Sequence, residues 1–121
     1  MSVRVLVVDD HPQVRALIRR VLEGDGLEVV GEAGDGPGAL AAAAELRPDL
    51  VLMDVLLPGA DGISTAAEIA RGAHPPPVVL TSSRDAADLG PRLARARALG
   101  FVPKRDLSGL ALVRLLSGER T

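Results

Sequence analysis

The stretch VLVVDDHP at residues 5–12 joins four consecutive apolar residues to two aspartates. Three of the four are valines, and β-branched side chains are typical of strands. Because the run does not alternate with polar residues, it predicts a strand buried on both faces, as in a parallel sheet. The two aspartates then lie at the carboxyl end of that strand, where the ligand sites of open parallel sheets form.

Strand-like and helix-like segments alternate along the rest of the chain. Besides residues 3–8, short apolar runs predict strands at residues 27–30, 50–53, 78–80 and 101–102. Apolar residues at helical spacing predict helices over residues 14–22, 39–44, 63–70, 86–98 and 107–116. Five strand–helix units in strict alternation indicate an α/β fold with a parallel sheet and helices on both faces. We expect residues 1–121 to form one domain.

Local signals refine three of the predicted helices. Asp61 is expected to cap the third helix, and Asp106 the fifth. Gly118 is expected to end the fifth helix. The Gly90-Pro91 pair weakens the first half of the fourth helix, because proline has no N–H to donate.

Composition excludes several classes of protein. Hydrophobic residues make up 47% of the chain and charged residues 25%, which is ordinary for a globular domain. There is no cysteine, so disulfides and thiolate sites are excluded. The N-terminal residues resemble neither a signal peptide nor a membrane span. We therefore expect a cytoplasmic protein that makes no contact with a membrane.

Charge and aromatic content argue against nucleic-acid binding. Fourteen basic and sixteen acidic residues give a net charge of −2, whereas proteins that grip phosphate backbones are usually basic. There is no tryptophan or tyrosine and only one phenylalanine, Phe101, so base-stacking platforms are missing. We expect no direct binding of nucleic acid by this chain.

Reactive side chains follow four of the five predicted strands. Their positions are Asp9 and Asp10 after the first strand, Asp54 after the third, Thr81 at the end of the fourth and Lys104 after the fifth. The carboxyl ends of parallel strands share one edge of a sheet, so these side chains should lie close together. Each also has an ordinary structural explanation: an aspartate can cap a helix, a threonine can pack and a lysine can be solvated. His11 and His74 are interpreted as exposed loop or helix-start residues.

The grouped residue types fit phosphoryl chemistry. Three carboxylates without cysteine or histidine suit a hard divalent ion such as Mg²⁺. A metal ion and an ammonium would neutralise the oxygens of a phosphoryl group while a carboxylate oxygen attacks phosphorus in line. From the residues alone, we interpret the site as one in which an aspartate accepts a phosphoryl group.

The chain resembles, from end to end, a response-regulator receiver domain of two-component signalling. The matching motifs are VLVVDDHP at 5–12, LVLMDVLLPGADG at 50–62, VVLTSS at 78–83 and LGFVPK at 99–104. DDHP and GFVPK most resemble the NarL-type subfamily, whose members often carry a C-terminal helix-turn-helix. The resemblance implies a flavodoxin-like (CheY-like) doubly wound sheet of five strands in the order 2-1-3-4-5.

The resemblance also implies roles by position. Asp54 would be the phospho-acceptor, with Lys104 and Thr81 contacting the phosphoryl oxygens. Phe101 stands at the position of the family's switch aromatic, which responds to the threonine. We therefore expect a switch that is phosphorylated by a sensor histidine kinase and then binds a downstream protein target or forms a homodimer.

The same resemblance implies a magnesium site. Asp10 and Asp54 would ligate Mg²⁺ directly, and the carbonyl of Leu56 would be the third protein ligand. Asp9 would act mainly through coordinated water.

Two other function classes stay open at this point. An aspartate-nucleophile phosphatase would need Asp-x-Asp after the first strand, whereas this chain has Asp9-Asp10-His11. A receiver fold can also serve as an interaction module that works without phosphorylation. We expect no enzymatic activity beyond the chain's own phosphoryl transfer and dephosphorylation. Whether it acts alone or as part of a DNA-binding regulator is not fixed by these residues.

Overall fold

A computed structural model describes residues 2–59 and 61–118 of the chain. The five predicted strands are all present in one parallel sheet, in the order β2-β1-β3-β4-β5. Their bounds are Arg4–Val8 for β1, Glu28–Ala33 for β2, Leu50–Asp54 for β3, Val78–Ser82 for β4 and Gly100–Pro103 for β5. The strand order reverses beside β1, so β1 and β3 border the point where such sheets bind ligands.

Six α-helices and one 3₁₀ turn connect and cover the strands in the described residues. Their bounds are Pro12–Gly24 for α1, Gly36–Leu46 for α2, Gly62–Ala70 for α3, Ala86–Leu89 for α4, Pro91–Ala94 for α5, Lys104–Asp106 for the 3₁₀ turn and Gly109–Leu116 for α6. The prediction of an α/β fold with a parallel sheet and helices is confirmed.

Alternate residues of the same strands belong to two hydrophobic clusters, one on each face of the sheet. One cluster joins Leu6, Val8, Val51, Met53 and Leu80 to Ala39 and Ala43 of α2 and Ala66 and Ile69 of α3. The other joins Val5, Val7, Leu50, Leu52 and Val79 to Ile18 and Leu22 of α1 and Leu112 of α6. Every residue of β3 and β4 is buried, which is why both strands begin with apolar residues that do not alternate with polar ones.

The prediction of a single fourth helix over residues 86–98 is wrong. The chain forms two helices of four residues each, α4 and α5, which meet at Gly90. Gly90 has φ +73°, a left-handed value that ends a helix, and Pro91 then begins α5 because its fixed φ suits a first turn.

The expected cap of the last helix is also wrong. α6 begins at Gly109 with Ser108 as its N-cap, and the Ser108 hydroxyl accepts the N–H of Ala111 at 3.0 Å. Asp106 lies instead in the 3₁₀ turn. The end of the helix was predicted correctly, because α6 stops two residues before Gly118, which has φ +84°.

Two questions about capping aspartates are settled by hydrogen bonds. Asp61 caps α3 as predicted, since its Oδ1 accepts the N–H of Ser64 at 2.7 Å. Asp10 does not cap α1, because the N-cap residue is His11. Asp10 is therefore left for another role at the edge of the sheet.

Candidate functional site

Asp54 ends β3 in the middle of the sheet, and its side chain is only 6% exposed. Its Oδ1 accepts the backbone N–H of Leu56 at 2.9 Å, and its Oδ2 accepts a hydrogen bond from Lys104 Nζ at 2.9 Å. After Asp54 the chain turns closely over the strand, so that a Cβ on Gly62 would lie 2.0 Å from the Asp54 carbonyl oxygen. Glycine at residue 62 is therefore required for this turn.

Asp9 and Asp10 follow β1, next to β3. Asp9 is fully buried, and its Oδ1 accepts the backbone N–H of His11 at 2.9 Å. Its Oδ2 lies 2.7 Å from Lys104 Nζ. Asp10 is more open, with 31% of its side chain exposed. We call the group formed by Asp9, Asp10 and Asp54 the acidic pocket.

Lys104 bridges two of the carboxylates of the acidic pocket. Its ammonium lies within hydrogen-bonding distance of both Asp9 and Asp54, although these residues are 45 positions apart in the chain. Burial alone would lower the pKa of Lys104, but the two carboxylates outweigh it and the pKa lies above its ordinary value. The lysine is thus held in its charged form.

The two bridged carboxylates respond to this environment in opposite directions. Burial raises the pKa of Asp54 above its ordinary value, against the opposing pull of the Leu56 N–H and the Lys104 ammonium. Burial would also raise the pKa of Asp9, but hydrogen bonds from Lys104 and the His11 N–H outweigh it, and the pKa of Asp9 is lowered. The Asp54 carboxyl group, which is hard to ionise, therefore lies beside the Asp9 carboxyl group, which ionises readily.

Thr81 lies beside Asp54 on the neighbouring strand, with their Cα atoms in register. Its side chain is buried, and its Oγ1 has no hydrogen-bond partner among the described residues. A buried hydroxyl without a partner is costly, and such groups are usually paired. This hydroxyl is therefore available to a ligand that brings its own oxygen acceptors.

The donor set fits a divalent cation. One ammonium faces the three carboxylates of the acidic pocket, so an excess of negative charge remains for a cation to balance. Oxygen atoms of Asp9 and Asp10 lie within 4.8 Å of each other, a separation that a single ion can span. Asp54 and the Leu56 carbonyl, which were predicted as further ligands, stay predictions.

The remaining predicted residues lie at the margin of the pocket. Leu56 directs its backbone N–H at Asp54, while its side chain is 52% exposed. Phe101 is half-buried on β5, in register with Leu80 of β4, and packs against the cluster that lies under α2 and α3. Its expected role as a switch residue stays a prediction.

Two contacts at the pocket were missed from the sequence. The His11 ring, expected to be merely exposed, places its Nδ1 3.0 Å from Asp10 Oδ1. Arg15, one turn further along α1, donates from Nη1 to the Asp9 carbonyl at 2.5 Å. The sequence feature that could have indicated both contacts is that His11 and Arg15 lie within five residues of Asp10, near the start of a predicted helix.

Comparison with known proteins identifies the family. The sequence pattern of the response regulator receiver domain matches residues 5–114. The chain belongs to the response regulator receiver family. The fold agrees, because this chain and a signal receiver domain assigned to the response regulator NarL from Mycobacterium tuberculosis superpose with a TM-score of 0.86, with 35% identity and 98% of each chain covered.

Other relatives of this receiver domain belong to larger proteins. The response regulator GacA from Pseudomonas viridiflava is 45% identical over 104 residues, which cover 84% of this chain and 48% of GacA. The transcriptional regulatory protein PdtaR from Mycobacterium tuberculosis is 43% identical over 101 residues, covering 84% of this chain and 49% of PdtaR. The receiver domain thus spans about half the length of these relatives. Across residues 2–59 and 61–118, no helix has the length and apolar character needed to cross a membrane.

Proposed function

We propose that this receiver domain is a phosphorylation-dependent switch whose acceptor is Asp54. The observation that supports it best is the ion pair of Lys104 with both Asp9 and Asp54 beside the Thr81 hydroxyl, which has no hydrogen-bond partner in the described part of the chain. These groups supply a nucleophile, a fixed positive charge and a free hydrogen-bond donor at one point. Phosphoryl transfer needs that combination.

The proposed step is an in-line displacement at phosphorus. A carboxylate oxygen of Asp54 forms a bond to phosphorus while the bond from phosphorus to the imidazole nitrogen of a kinase phosphohistidine breaks. The electron pair of that broken bond stays on the leaving imidazole, which takes up a proton. The product is an acyl phosphate on Asp54, and its hydrolysis by water restores the carboxylate.

Lys104 and Thr81 act on the oxygens of the transferred group. The Lys104 ammonium, already 2.9 Å from Asp54 Oδ2, pairs with the new negative charge, which is about −1.5 to −2 for a phosphoryl group. The Thr81 hydroxyl donates to another oxygen and so gains a partner, which it does not have among the described residues. Both residues would move toward the phosphoryl group.

The acidic pocket is proposed to hold Mg²⁺. Asp10, Asp54 and the Leu56 carbonyl would be the direct protein ligands, and Asp9 would act through coordinated water. Bound there, the ion would neutralise charge on the phosphoryl oxygens. Lys104, which is itself held by Asp9, would keep the Asp54 carboxylate in position.

We propose a sensor histidine kinase as the phosphoryl donor and the cytoplasm as the place of action. The output would be contact with a downstream protein or with a second copy of the chain, without direct binding of nucleic acid. The only chemistry proposed for the chain is its own phosphorylation and dephosphorylation. A relative from Alkalilimnicola ehrlichii is named protein-glutamate methylesterase/protein-glutamine glutaminase, and its match to this chain covers 29% of the relative's length.

The test is intact-mass measurement after incubation with acetyl phosphate and Mg²⁺. Wild type should gain one phosphoryl group, and Asp54→Asn should gain none. Asp88→Asn changes an exposed aspartate of α4 in the same way and should behave as wild type. Phosphorylation of Asp54→Asn would show that another residue is the acceptor. A wild type that gains no phosphoryl group would favour an interaction module that works without phosphorylation.

A further inference from the structure

The chain has two histidines, and His11 lies at the rim of the acidic pocket. Its Nδ1 is 3.0 Å from Asp10 Oδ1 and 3.4 Å from Asp9 Oδ1. One potential ligand atom from each of these three residues lies within 4.8 Å of the other two. Two carboxylate oxygens and an imidazole nitrogen therefore face a common point.

The backbone fixes this arrangement and leaves the ring free to adjust. The N–H of His11 donates to Asp9 Oδ1 at 2.9 Å, and Pro12 begins α1 directly afterwards. The side chain itself is 63% exposed, and it makes no capping hydrogen bond to the described part of the chain. A shift of the ring toward a bound ion would thus disturb neither the core nor the helix start.

The mixed donor set has a chemical consequence for the choice of metal. Mg²⁺ binds oxygen ligands and keeps several waters. Imidazole nitrogen is a good ligand for first-row transition ions, whose affinity for such sites rises from Mn²⁺ through Co²⁺ to Ni²⁺. A nitrogen donor beside two carboxylates favours these ions and adds little for Mg²⁺.

We propose that His11 is a metal ligand, and that Asp10 and His11 directly bind a first-row transition ion in preference to Mg²⁺, with Asp9 acting through coordinated water as proposed for Mg²⁺. The inference rests on the proposed function only in placing a divalent cation at the acidic pocket. It assigns to His11 the selectivity between ions, a property separate from phosphorylation of Asp54. The Asp9 carboxylate anchors the site because it is buried and already ordered by the His11 N–H.

The competing explanation is that the His11 ring serves only as a hydrogen-bond partner for the two carboxylates. In that case its removal would change the affinity for all divalent ions by a similar factor, because only the charge and orientation of the carboxylates would be affected. A direct nitrogen ligand instead changes the ratio between ions. The ratio is therefore the quantity to measure.

The experiment is calorimetric titration of tag-free protein with Ni²⁺, Mn²⁺ and Mg²⁺ at one neutral pH. His11→Ala is expected to weaken Ni²⁺ binding by about tenfold or more, the usual scale for losing a group that supports a metal site. The same variant should weaken Mg²⁺ binding by less than about twofold, because Mg²⁺ takes oxygen ligands. The matched control is His74→Ala, which removes the other histidine, an exposed residue between α3 and β4. It should leave both affinities unchanged.

A second measurement guards against a misfolded variant. In wild-type protein, a small amount of Mn²⁺ should broaden the ring resonances of His11 in NMR spectra and spare those of His74. Equal weakening of Ni²⁺ and Mg²⁺ in His11→Ala, unchanged Ni²⁺ binding, or equal broadening of both rings would each overturn the proposal.

The failure of this inference can be told apart from failure of the proposed function. Phosphorylation of Asp54 by acetyl phosphate is read by mass in Mg²⁺ alone, where His11 is not needed. A chain that is never phosphorylated yet loses Ni²⁺ selectivity in His11→Ala would support the metal ligand and refute the switch. If the chain is phosphorylated and His11→Ala keeps the wild-type ratio of Ni²⁺ to Mg²⁺ affinity, the switch would be supported and the metal ligand refuted.

Discussion

At the scale of single residues, one ammonium determines the state of two buried carboxylates. Lys104 Nζ lies 2.7 Å from Asp9 Oδ2 and 2.9 Å from Asp54 Oδ2. A single positive charge shared between two buried acids leaves one of them poorly compensated. The directions of the pKa shifts identify it as Asp54, whose pKa is raised while that of Asp9 is lowered. Asp54 is thus placed where ionisation of its carboxyl group opposes folding.

Asp54→Asn is expected to stabilise the metal-free protein at neutral pH by about 1 kcal/mol, the scale of a poorly compensated buried polar group. Because the folded pKa of Asp54 lies above its ordinary value near 3.8, the folded protein binds this proton more tightly than the unfolded chain. The free energy of unfolding of wild type therefore falls as the pH rises from about 3.8 to the folded pKa of Asp54. Above that pH interval, Asp54→Asn is expected to be the more stable protein. Urea unfolding at several pH values measures the difference, and Asp88→Asn is the control. A variant that is less stable than wild type at neutral pH would contradict the argument.

At the scale of elements, one glutamate joins helix α1 to the edge strand β2. Glu32 Oε1 lies 3.0 Å from Arg15 Nε, and Glu32 Oε2 lies 2.9 Å from Arg19 Nη2. Arg15 also donates to the Asp9 carbonyl, so this ion-pair cluster ends at the acidic pocket. Burial alone would raise the pKa of Glu32, but the two guanidinium groups outweigh it and the pKa is lowered.

Glu32→Gln should reduce the free energy of unfolding at neutral pH by about 0.5–1 kcal/mol, as expected for partly exposed ion pairs. A lowered folded pKa gives stability that is present above the ordinary value near 4.5 and lost as the pH falls through the folded pKa. The difference between wild type and variant should therefore vanish in acid. Glu28→Gln, at an exposed position of the same strand, is the matched control in the same denaturation series. A difference that does not shrink as the pH falls below about 4.5 would rule out the ion pairs as its cause.

Helix α3 depends on a close approach to the strand before it. An ideal Cβ at Gly62 would meet the Asp54 carbonyl oxygen at 2.0 Å and its carbonyl carbon at 2.9 Å, both of them backbone atoms. Gly62→Ala should therefore destabilise the fold by about 2–3 kcal/mol, the upper range for forced overpacking. Gly24→Ala adds the same methyl group where, apart from its chain neighbours and the backbone of its own helix, no heavy atom of the described residues lies within 4 Å, and it should leave stability equal or slightly higher. Thermal unfolding of both variants measures the contrast, and equal melting temperatures would show that the turn after β3 can relax.

At the scale of the whole molecule, the pocket is linked to the far edge of the sheet through β4 and β5. Thr81 is in register with Asp54 on one side and with Val102 on the other. Phe101, next to Val102, packs half-buried and also lines a groove of about 270 Å³ between β5 and α6. If Thr81 moves toward the pocket, we expect the surroundings of the Phe101 ring to change, because the groove beside the ring gives it space to move.

Fluorine-labelled phenylalanine should report this movement directly. The chain has one phenylalanine, so a single ¹⁹F resonance is expected. Beryllofluoride with Mg²⁺, a phosphoryl mimic, should shift that resonance in wild type, and it should have little effect in Asp54→Asn or Thr81→Ala. If backbone amides around the pocket shift while the ¹⁹F resonance does not, Phe101 is ordinary core.

The sheet, and the proximity of Asp54 to Asp9, Thr81 and Lys104, were predictable because both follow from local sequence patterns. Continuous apolar runs identified the buried strands, and the residues following Val8, Met53 and Leu80 identified the pocket. What could not be predicted depends on contacts between distant segments. α6 begins at Gly109 partly because its N–H donates to Asp25 at 2.7 Å, across 84 positions of chain. The break at Gly90 was visible in the sequence, but whether the helix would bend or divide depends on packing around it.

The bridge between Lys104 and the two carboxylates has a practical consequence for chemical labelling. Within these 121 residues, Lys104 is the only lysine, and a raised pKa keeps its amine protonated. Only the neutral amine has a lone pair with which to attack an acylating reagent, so this side chain should resist acylation while it stays paired and protonated. Loss of a carboxylate partner, as in Asp54→Asn, should make it react faster. The rate of acylation at Lys104 itself, read by mass spectrometry of the peptide that contains it, then reports whether the bridge is closed.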